Sequence, residues 1–134
     1  MHAIIVGSGA VASSLASRLI EAHHTIAFVV EDALEAERIA CDQPQALVIR
    51  GSSANEHTLV DALARDAAAL YAVTQDDSHN MVAALLAKER FHIDRVVALA
   101  RSCDDVSVFE ALGIRSICEP QVVVDALVNG HESH

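Results

Sequence analysis

Large aromatic residues are nearly missing from this sequence of 134 residues. It contains three Phe, one Tyr and no Trp, although 52% of its residues are hydrophobic. The apolar content therefore comes mostly from Ala, Val, Leu and Ile. Small and branched side chains of this kind are typical of a parallel sheet packed between helices, and their abundance excludes an intrinsically disordered chain. At this length we expect one domain with a sizeable core.

Basic residues are also scarce. Nine Lys and Arg stand against 19 Asp and Glu, which gives a formal net charge of −10. A nucleic-acid-binding surface needs basic side chains to neutralise phosphates, so the composition predicts no nucleic-acid partner. A small anionic ligand stays compatible with this charge, because the free amides at the start of a helix act locally.

The cysteines are few and widely spaced, at Cys41, Cys103 and Cys118. Their odd number and the lack of a Cys-x-x-Cys pair predict unpaired thiols rather than a disulfide framework, as expected in a reducing cytosol. No apolar run reaches the roughly 18 residues that span a bilayer. Since Met1 leads directly into an apolar segment, we expect no signal peptide and a cytoplasmic location.

Six apolar segments rich in β-branched residues alternate with six segments of helical spacing. The predicted strands are Ala3–Val6, Ile26–Val30, Ala46–Ile49, Ala69–Val73, Val96–Leu99 and Ser116–Cys118. The predicted helices are Val11–Glu21, Ala33–Cys41, Glu56–Ala64, Asn80–Arg90, Val106–Leu112 and Pro120–Val128.

Strict alternation of strands and helices, with strands that lack a polar face, predicts an α/β fold. Right-handed crossovers would arrange it as a doubly wound six-stranded parallel sheet with helices on both faces. A ligand crevice is then expected at the carboxyl ends of the first and fourth strands. We predict one domain over residues 1–129, followed by a disordered tail over residues 130–134.

The segment Gly7-Ser8-Gly9-Ala10-Val11-Ala12 lies between the first strand and the first helix. This Gly-x-Gly-x-x-Ala order matches a dinucleotide-binding turn, in which Gly7 permits the tight turn and Gly9 lets the backbone approach a pyrophosphate. The amides and positive dipole end of the helix would then face the phosphates. The candidate contacts are Gly7, Ser8, Gly9, Ala10 and Val11. A β–α turn that binds nothing is the alternative.

Acidic residues follow the second predicted strand, which ends at Val30. A dinucleotide site needs a carboxylate about 20 residues beyond the glycines, where it accepts hydrogen bonds from ribose hydroxyls. Glu31 and Asp32 either serve this purpose or stabilise the first turn of the next helix through its dipole.

Small and polar residues follow the third and fourth strands. The turn Arg50-Gly51-Ser52-Ser53 would let an adenine approach the backbone. Thr74 lies where its hydroxyl could meet a phosphate or the second ribose, and Asp77 is expected to cap the next helix. His79 lies at the same rim, whereas the eight histidines as a set show no metal-ligand spacing.

The most specific segment is Val73-Thr74-Gln75-Asp76-Asp77-Ser78-His79-Asn80, a Val-Thr-x-x-Asp-x-x-Asn turn that runs into an Ala/Leu helix. Together with the glycine turn and Phe109–Ile114, it resembles the N-terminal domain of the RCK/KTN (TrkA N-terminal) family, from Met1 to about Val128. Members of this family are cytosolic regulators of potassium channels and of Trk/Ktr potassium transporters.

The resemblance implies a Rossmann-like domain that binds NAD(H), ATP/ADP or a related adenine nucleotide and has no catalytic step. It also implies a homodimer or a higher ring, and a potassium channel or transporter membrane subunit as partner at the inner face of the membrane. The apolar helices Met81–Ala87 and Val122–Val128 are the predicted assembly surfaces.

The sequence departs from the family pattern at three candidate ligand positions. Val30 stands where the family has a ribose-binding acid, although Glu31 takes that position if the strand is one residue longer. Ser52 replaces a common Asp, and Leu99 replaces an Arg, with Arg101 two residues further along the same strand face. Beyond the glycine turn, the residues predicted to bind the cofactor are Val30, Glu31, Ser52, Thr74 and Asp77.

Two other functions remain open at this stage. The chain would serve as the coenzyme domain of an NAD-dependent oxidoreductase if a hydride-transfer set were present, but no such set is recognisable. Alternatively, the departures at the ligand positions would suit a degenerate assembly module that no longer binds nucleotide.

Overall fold

A computed structural model of the chain describes residues 1–130. The strands are β1 His2–Val6, β2 Thr25–Val30, β3 Leu47–Arg50, β4 Ala67–Ala72, β5 Arg95–Ala100 and β6 Arg115–Cys118. The helices are α1 Ala10–Glu21, α2 Ala33–Asp42, α3 Glu56–Asp61, α4 Asp77–Glu89, α5 Val106–Ala111 and α6 Glu119–Asn129, and short 3-10 helices cover Ala64–Asp66 and Cys103–Asp105. Gly130 follows α6, and the rest of the predicted tail lies outside the described residues.

The six strands form one parallel sheet in the order β3-β2-β1-β4-β5-β6. This order confirms the predicted doubly wound α/β fold, because the chain winds outward from β1 in both directions. Alternate residues of each strand face opposite layers. Ile5 packs with the layer of α1 and α2, whereas Ile4 packs with the layer of α3, α4 and α5.

The end of the third helix and the start of the fourth differ from the predicted elements. It was expected to run from Glu56 to Ala64, but α3 ends at Asp61 and the chain reverses at Leu63, whose φ of 67° is left-handed. A left-handed leucine carries no local sequence signal, since glycine or asparagine normally takes this conformation. Helix α4 begins three residues earlier than predicted, because Asp76 rather than Asp77 caps it.

Cys103 and Cys118 are joined as a disulfide, so the prediction that the thiols are unpaired was wrong. The two residues are 15 apart in the chain, but Cys118 ends β6 and Cys103 lies just after the neighbouring parallel strand β5, which brings their Cα atoms to 5.3 Å. The parallel pairing of β5 with β6 is a tertiary feature that cysteine spacing does not reveal. Cys41 is exposed and has no partner among the described residues.

Helix α6 lies at the end of the fold, where it packs mainly against β6 and the 3-10 helix Cys103–Asp105. None of its residues is buried by the described part of the chain. Its exposed apolar residues are Val122, Val123, Val124, Leu127 and Val128. Across residues 1–130, the helices lack the combination of length and apolar character that a bilayer crossing requires.

Candidate functional site

A cavity of about 700 Å³ opens at the carboxyl ends of β1, β2 and β4, where the sequence predicted a crevice. Its floor is the turn after β1, and its walls come from the starts of α1, α2 and α4. The predicted residues that line it are Gly7, Ser8, Gly9, Ala10, Val30, Glu31 and Thr74. The residues after β1, β2 and β4 therefore come together as expected.

The glycine turn has the geometry that the sequence predicted. Gly7 adopts a φ of 137°, and a Cβ at this position would lie 3.1 Å from the carbonyl oxygen of Val73. Its backbone N–H donates to the carbonyl of Val29, which fixes the turn against β2. Any side chain at Gly7 is therefore excluded by the backbone angle and by the neighbouring strand.

Gly9 is the N-cap residue of α1, and no side chain within residues 1–130 caps the first turn of this helix. A Cβ built at Gly9 meets no described atom within 4 Å. By contrast, Asp32 and Asp76 cap α2 and α4 at the same edge of the sheet. The amides at the start of α1 are therefore left for an external acceptor, as in helix N-termini that bind anions.

The end of β2 places three residues in different environments. Val30 lies inside β2 and is buried, so it offers no acceptor to a ribose hydroxyl. Asp32 accepts a hydrogen bond from the backbone N–H of Leu34 and is the N-cap of α2. Glu31 is exposed, and its Oε2 lies 4.0 Å from Nδ1 of His79. Glu31 and Asp32 both line the cavity, and because Asp32 caps α2, Glu31 is the carboxylate available to a ligand at this end.

Thr74 lines the cavity, but its hydroxyl is already bonded. Its Oγ1 donates to Oδ1 of Asn80 at 2.6 Å and accepts from the backbone N–H of Asp76 at 3.2 Å. A hydroxyl carries a single proton, so Thr74 has no second donor to offer a phosphate while this bond is kept. Asn80 is fully buried, and its hydrogen bonds to Thr74 hold the turn after β4 in place.

Three predicted residues lie outside the cavity. Val11 is on the outward side of α1, and Ser52 turns its hydroxyl back to accept from the backbone N–H of Ala54. At the third strand it is Gly51 and Ser53 that line the cavity. Asp77 instead accepts from the backbone N–H of Arg101 at 2.7 Å and of Ser102 at 3.1 Å.

The environment of Asp77 changes its acidity. Burial alone would raise the pKa of Asp77, but hydrogen bonds from the Arg101 backbone and the Asp105 side chain outweigh burial and hold the pKa below its ordinary value. Arg101 does not reach the cavity as expected, since its Nη1 donates to both carboxylate oxygens of Glu119, at 2.7 and 2.8 Å. Asp77 therefore connects α4 to the segment after β5, and Arg101 connects that segment to α6.

Arg38 is a cavity residue that the sequence analysis missed. Its Nη2 donates to the carbonyl oxygen of Ser8 at 2.8 Å, which places a positive charge directly beside the glycine turn. The hydrogen bond and charge of Glu35 raise the pKa of Arg38 and hold its side chain in place. Its position depends on how the fold places α2 beside the turn after β1, which no local spacing reveals.

Comparison with known proteins agrees with this geometry. The family model described as TrkA-N domain matches residues 3–120. The Trk system potassium uptake protein TrkA of Streptomyces coelicolor is 30% identical over 128 residues, which are 96% of this chain and 57% of that protein. A TrkA homolog of Methanothermobacter thermautotrophicus is 27% identical over 121 residues, which are 90% of this chain and 55% of that protein. The chain thus spans little more than half the length of these relatives.

Solved structures share the fold. The TrkA-N domain of the inner membrane protein ybaL from Escherichia coli has a TM-score of 0.86 at 17% identity, and the match covers 98% of this chain and 96% of that one. The GsuK channel bound to NAD has a TM-score of 0.75 at 18% identity, covering 87% and 21% of the two chains. The Kef CTD of Shewanella denitrificans, in its AMP-bound form, has a TM-score of 0.73 at 19% identity, covering 99% and 84%.

The matched segment begins in β1, includes the glycine turn, and extends to the first turn of α6. Since it covers most of the chain, and since the sheet order and the cavity agree with it, the chain belongs to the TrkA-N domain family.

Proposed function

We propose that this chain is a regulatory nucleotide-binding domain that controls potassium ion transport through a channel or transporter, without a catalytic step of its own. The relatives named as Trk potassium uptake proteins support this proposal, as does the likeness of the fold to the GsuK channel. In this proposal the domain acts in the cytoplasm, next to a membrane subunit.

The observation that carries nucleotide binding is the uncapped start of α1 at the floor of the cavity. Its free amides, the open space above Gly9 and the guanidinium of Arg38 lie together beside the carbonyl of Ser8. Amides and a fixed cation at a helix N-terminus stabilise a phosphate group. A pyrophosphate or phosphate at this position is therefore the ligand group that the site accepts best.

The rest of the cavity suits an adenosine that extends toward β2 and β3. Glu31 accepts hydrogen bonds from the ribose hydroxyls, and the backbone at Gly51 borders the adenine. Carboxylates outnumber basic groups along the wall, where Glu31, Asp32, Glu35 and Asp76 face Arg38 and His79. Because like charges repel, we expect NAD(H) or AMP to bind more tightly than the more highly charged ATP.

The domain acts as a homodimer or a ring in this proposal. Ligand binding would favour one arrangement of the copies, which is the coupling that a regulator of ion flux requires. The exposed apolar residues of α6 supply the contact surface, whereas the predicted surface Met81–Ala87 packs mostly against the core and exposes only Val82.

A thermal-shift series with NAD, NADH, AMP, ADP and ATP tests the nucleotide site, with Gly9→Asp as the decisive variant. Ligand at about 100 times its Kd stabilises a domain by ~2.7 kcal/mol, which raises Tm by several degrees at this size. An aspartate at position 9 can cap α1, so the variant is expected to keep its fold. Its carboxylate would occupy the anion position, and the nucleotide shift should vanish.

Two control variants separate charge from capping. Gly9→Ser caps α1 without a negative charge, whereas Ser14→Asp places the same charge on an exposed part of α1 away from the cavity. We expect Ser14→Asp to keep the full nucleotide shift and Gly9→Ser to keep part of it. A wild-type chain that shows no shift with any nucleotide would contradict the sensor and favour the degenerate assembly module.

A further inference from the structure

The disulfide lies at the ends of two neighbouring strands, on the side of the domain that carries α6. Cys118 is the last residue of β6 and the N-cap of α6, and Ala100 at the end of β5 is its register partner. Cys103 begins the 3-10 helix that follows β5. Their Cα separation of 5.3 Å lies in the middle of the range that disulfides adopt. The backbone therefore holds the two cysteines ready for bonding.

Among residues 1–130, this bond is one of two side-chain attachments at the start of α6. The other is the ion pair in which Nη1 of Arg101 donates to both carboxylate oxygens of Glu119. Both attachments connect the first turn of α6 to the segment between β5 and α5. No residue of α6 is buried by the described part of the chain. These two attachments therefore contribute a larger share of the stability of this helix than they would in a helix packed by its side chains.

We propose that Cys103 and Cys118 form a reversible redox modification site, whose exchange partner is a small thiol and its disulfide. In the oxidised form the covalent bond fixes the start of α6 to the 3-10 helix. In the reduced form the ion pair is the remaining attachment, and the first turn of α6 opens more often. This inference does not depend on nucleotide binding.

The chemistry follows from the different exposure of the two sulfurs. Cys103 is exposed whereas Cys118 is 7% exposed, so a small thiolate attacks Sγ of Cys103. The disulfide breaks, and its electron pair leaves with Sγ of Cys118 as a thiolate at the amino end of α6, where the helix dipole stabilises negative charge. A second small thiolate attacks the mixed disulfide and releases Cys103 as a thiolate. Two small thiols are oxidised to one disulfide, and the reverse sequence reforms the bond.

The test uses the 134-residue chain carrying Cys41→Ser, so that the remaining thiols belong to the pair. The chain is equilibrated in buffers that contain different ratios of reduced to oxidised glutathione, and the free thiols are alkylated and counted by mass spectrometry. We expect two free thiols in reduced glutathione and none in oxidised glutathione. Far-UV circular dichroism should show the folded domain in both forms.

Amide hydrogen exchange then tests what the bond does. We expect exchange in the first turn of α6 to be at least tenfold faster in the reduced form, while β1 exchanges at an unchanged rate. Cys103→Ser, a substitution at an exposed position, should exchange like the reduced form in every buffer. The proposal is overturned if both thiols stay free in oxidised glutathione, if the bond fails to reduce while the domain is folded, or if α6 exchanges equally in both forms.

Discussion

Asn80 uses its whole side chain to bind backbone and hydroxyl groups around the candidate cavity. Its Oδ1 accepts from the backbone N–H and the hydroxyl of Thr74, and its Nδ2 donates to the carbonyl oxygens of Leu99 and Thr74. These bonds join the turn after β4 to the end of β5. The last position of the Val-Thr-x-x-Asp-x-x-Asn segment thus supports the site from below rather than contacting a ligand.

Replacement of this residue has a defined cost. Asn80→Ala leaves the Thr74 N–H and the Leu99 carbonyl without their partner, and one unsatisfied buried group costs about 1–3 kcal/mol. We therefore expect the free energy of unfolding to fall by about 2–4 kcal/mol in urea denaturation. Asn129→Ala, at the exposed end of α6, is the matched control. An unfolding free energy within about 0.5 kcal/mol of wild type would contradict the proposed role of Asn80.

Single residues of the site differ in how far the sequence determines them. The positions of Gly7 and Gly9 follow from a local rule, because a tight turn between a strand and a helix constrains the backbone over a few residues. Arg38 reaches Ser8 across 30 residues of sequence, so its place depends on how the fold brings α2 to the glycine turn. Val11 and Ser52 are each one residue away from residues that line the cavity. Sequence patterns locate such a turn to within a residue, but they do not determine which of two neighbouring side chains faces the ligand.

At the scale of elements, Asp77 connects the first turn of α4 to the segment after β5. Its carboxylate accepts hydrogen bonds from the N–H groups of Arg101 and Ser102, and the Asp105 side chain further lowers its pKa. The hydrogen bond with Asp77 is the main cause of the raised pKa of Asp105. The hydrogen bonds that lower the pKa of Asp77 stabilise the folded state at pH values above the ordinary pKa of an aspartate. This contribution is lost as the pH falls through the lowered pKa.

This connection predicts a pH dependence of stability. Asp77→Asn removes the carboxylate and should lower the free energy of unfolding by about 1 kcal/mol at pH 7. As pH falls below about 4, the variant should approach wild type in stability, because wild type loses the same contribution there. The raised pKa of Asp105 acts in the opposite direction, since that contribution is present in acid and is lost as pH rises.

Urea unfolding at neutral and acidic pH measures this difference, with the exposed Asp61→Asn as control. A gap between Asp77→Asn and wild type that stays constant across the acid range would contradict the assignment.

Elements were predicted more reliably than their ends. All six strands and all six helices lie where hydrophobic periodicity placed them, because a parallel sheet covered on both faces demands continuous apolar strands. The misplaced ends have local causes, such as the left-handed Leu63 that shortens α3. At the start of α4 the sequence pattern chose the wrong cap, because Asp76 and Asp77 are equally good caps by residue type and Asp76 is the N-cap.

At the scale of the whole molecule, helix α6 carries the largest group of neighbouring exposed apolar side chains among residues 1–130. Leu127 is 76% exposed and Val128 is 79% exposed. A terminal helix of this composition is stable in water when another surface covers it. A second copy of the chain is the covering surface that the proposed dimer or ring provides.

Leu127→Asp tests this assembly surface. Because Leu127 is barely in contact with the domain, the unfolding free energy should change by less than about 0.5 kcal/mol. Self-association measured by sedimentation velocity should weaken by at least tenfold. Leu34→Asp is a matched control, since Leu34 is also 76% exposed but lies alone on α2. Equal association of both variants and wild type would place the contact elsewhere.

The two outer strands determine how such copies can meet. β3 and β6 are four residues long and border the sheet, β3 ends at Arg50, and β6 begins at Arg115. Short strands with charged ends disfavour the addition of another strand, which is how open sheets avoid aggregation. A continuous sheet that runs from one copy into the next is therefore disfavoured in this fold. Copies that join through their helices remain discrete particles, able to separate and rotate against one another without breaking backbone hydrogen bonds.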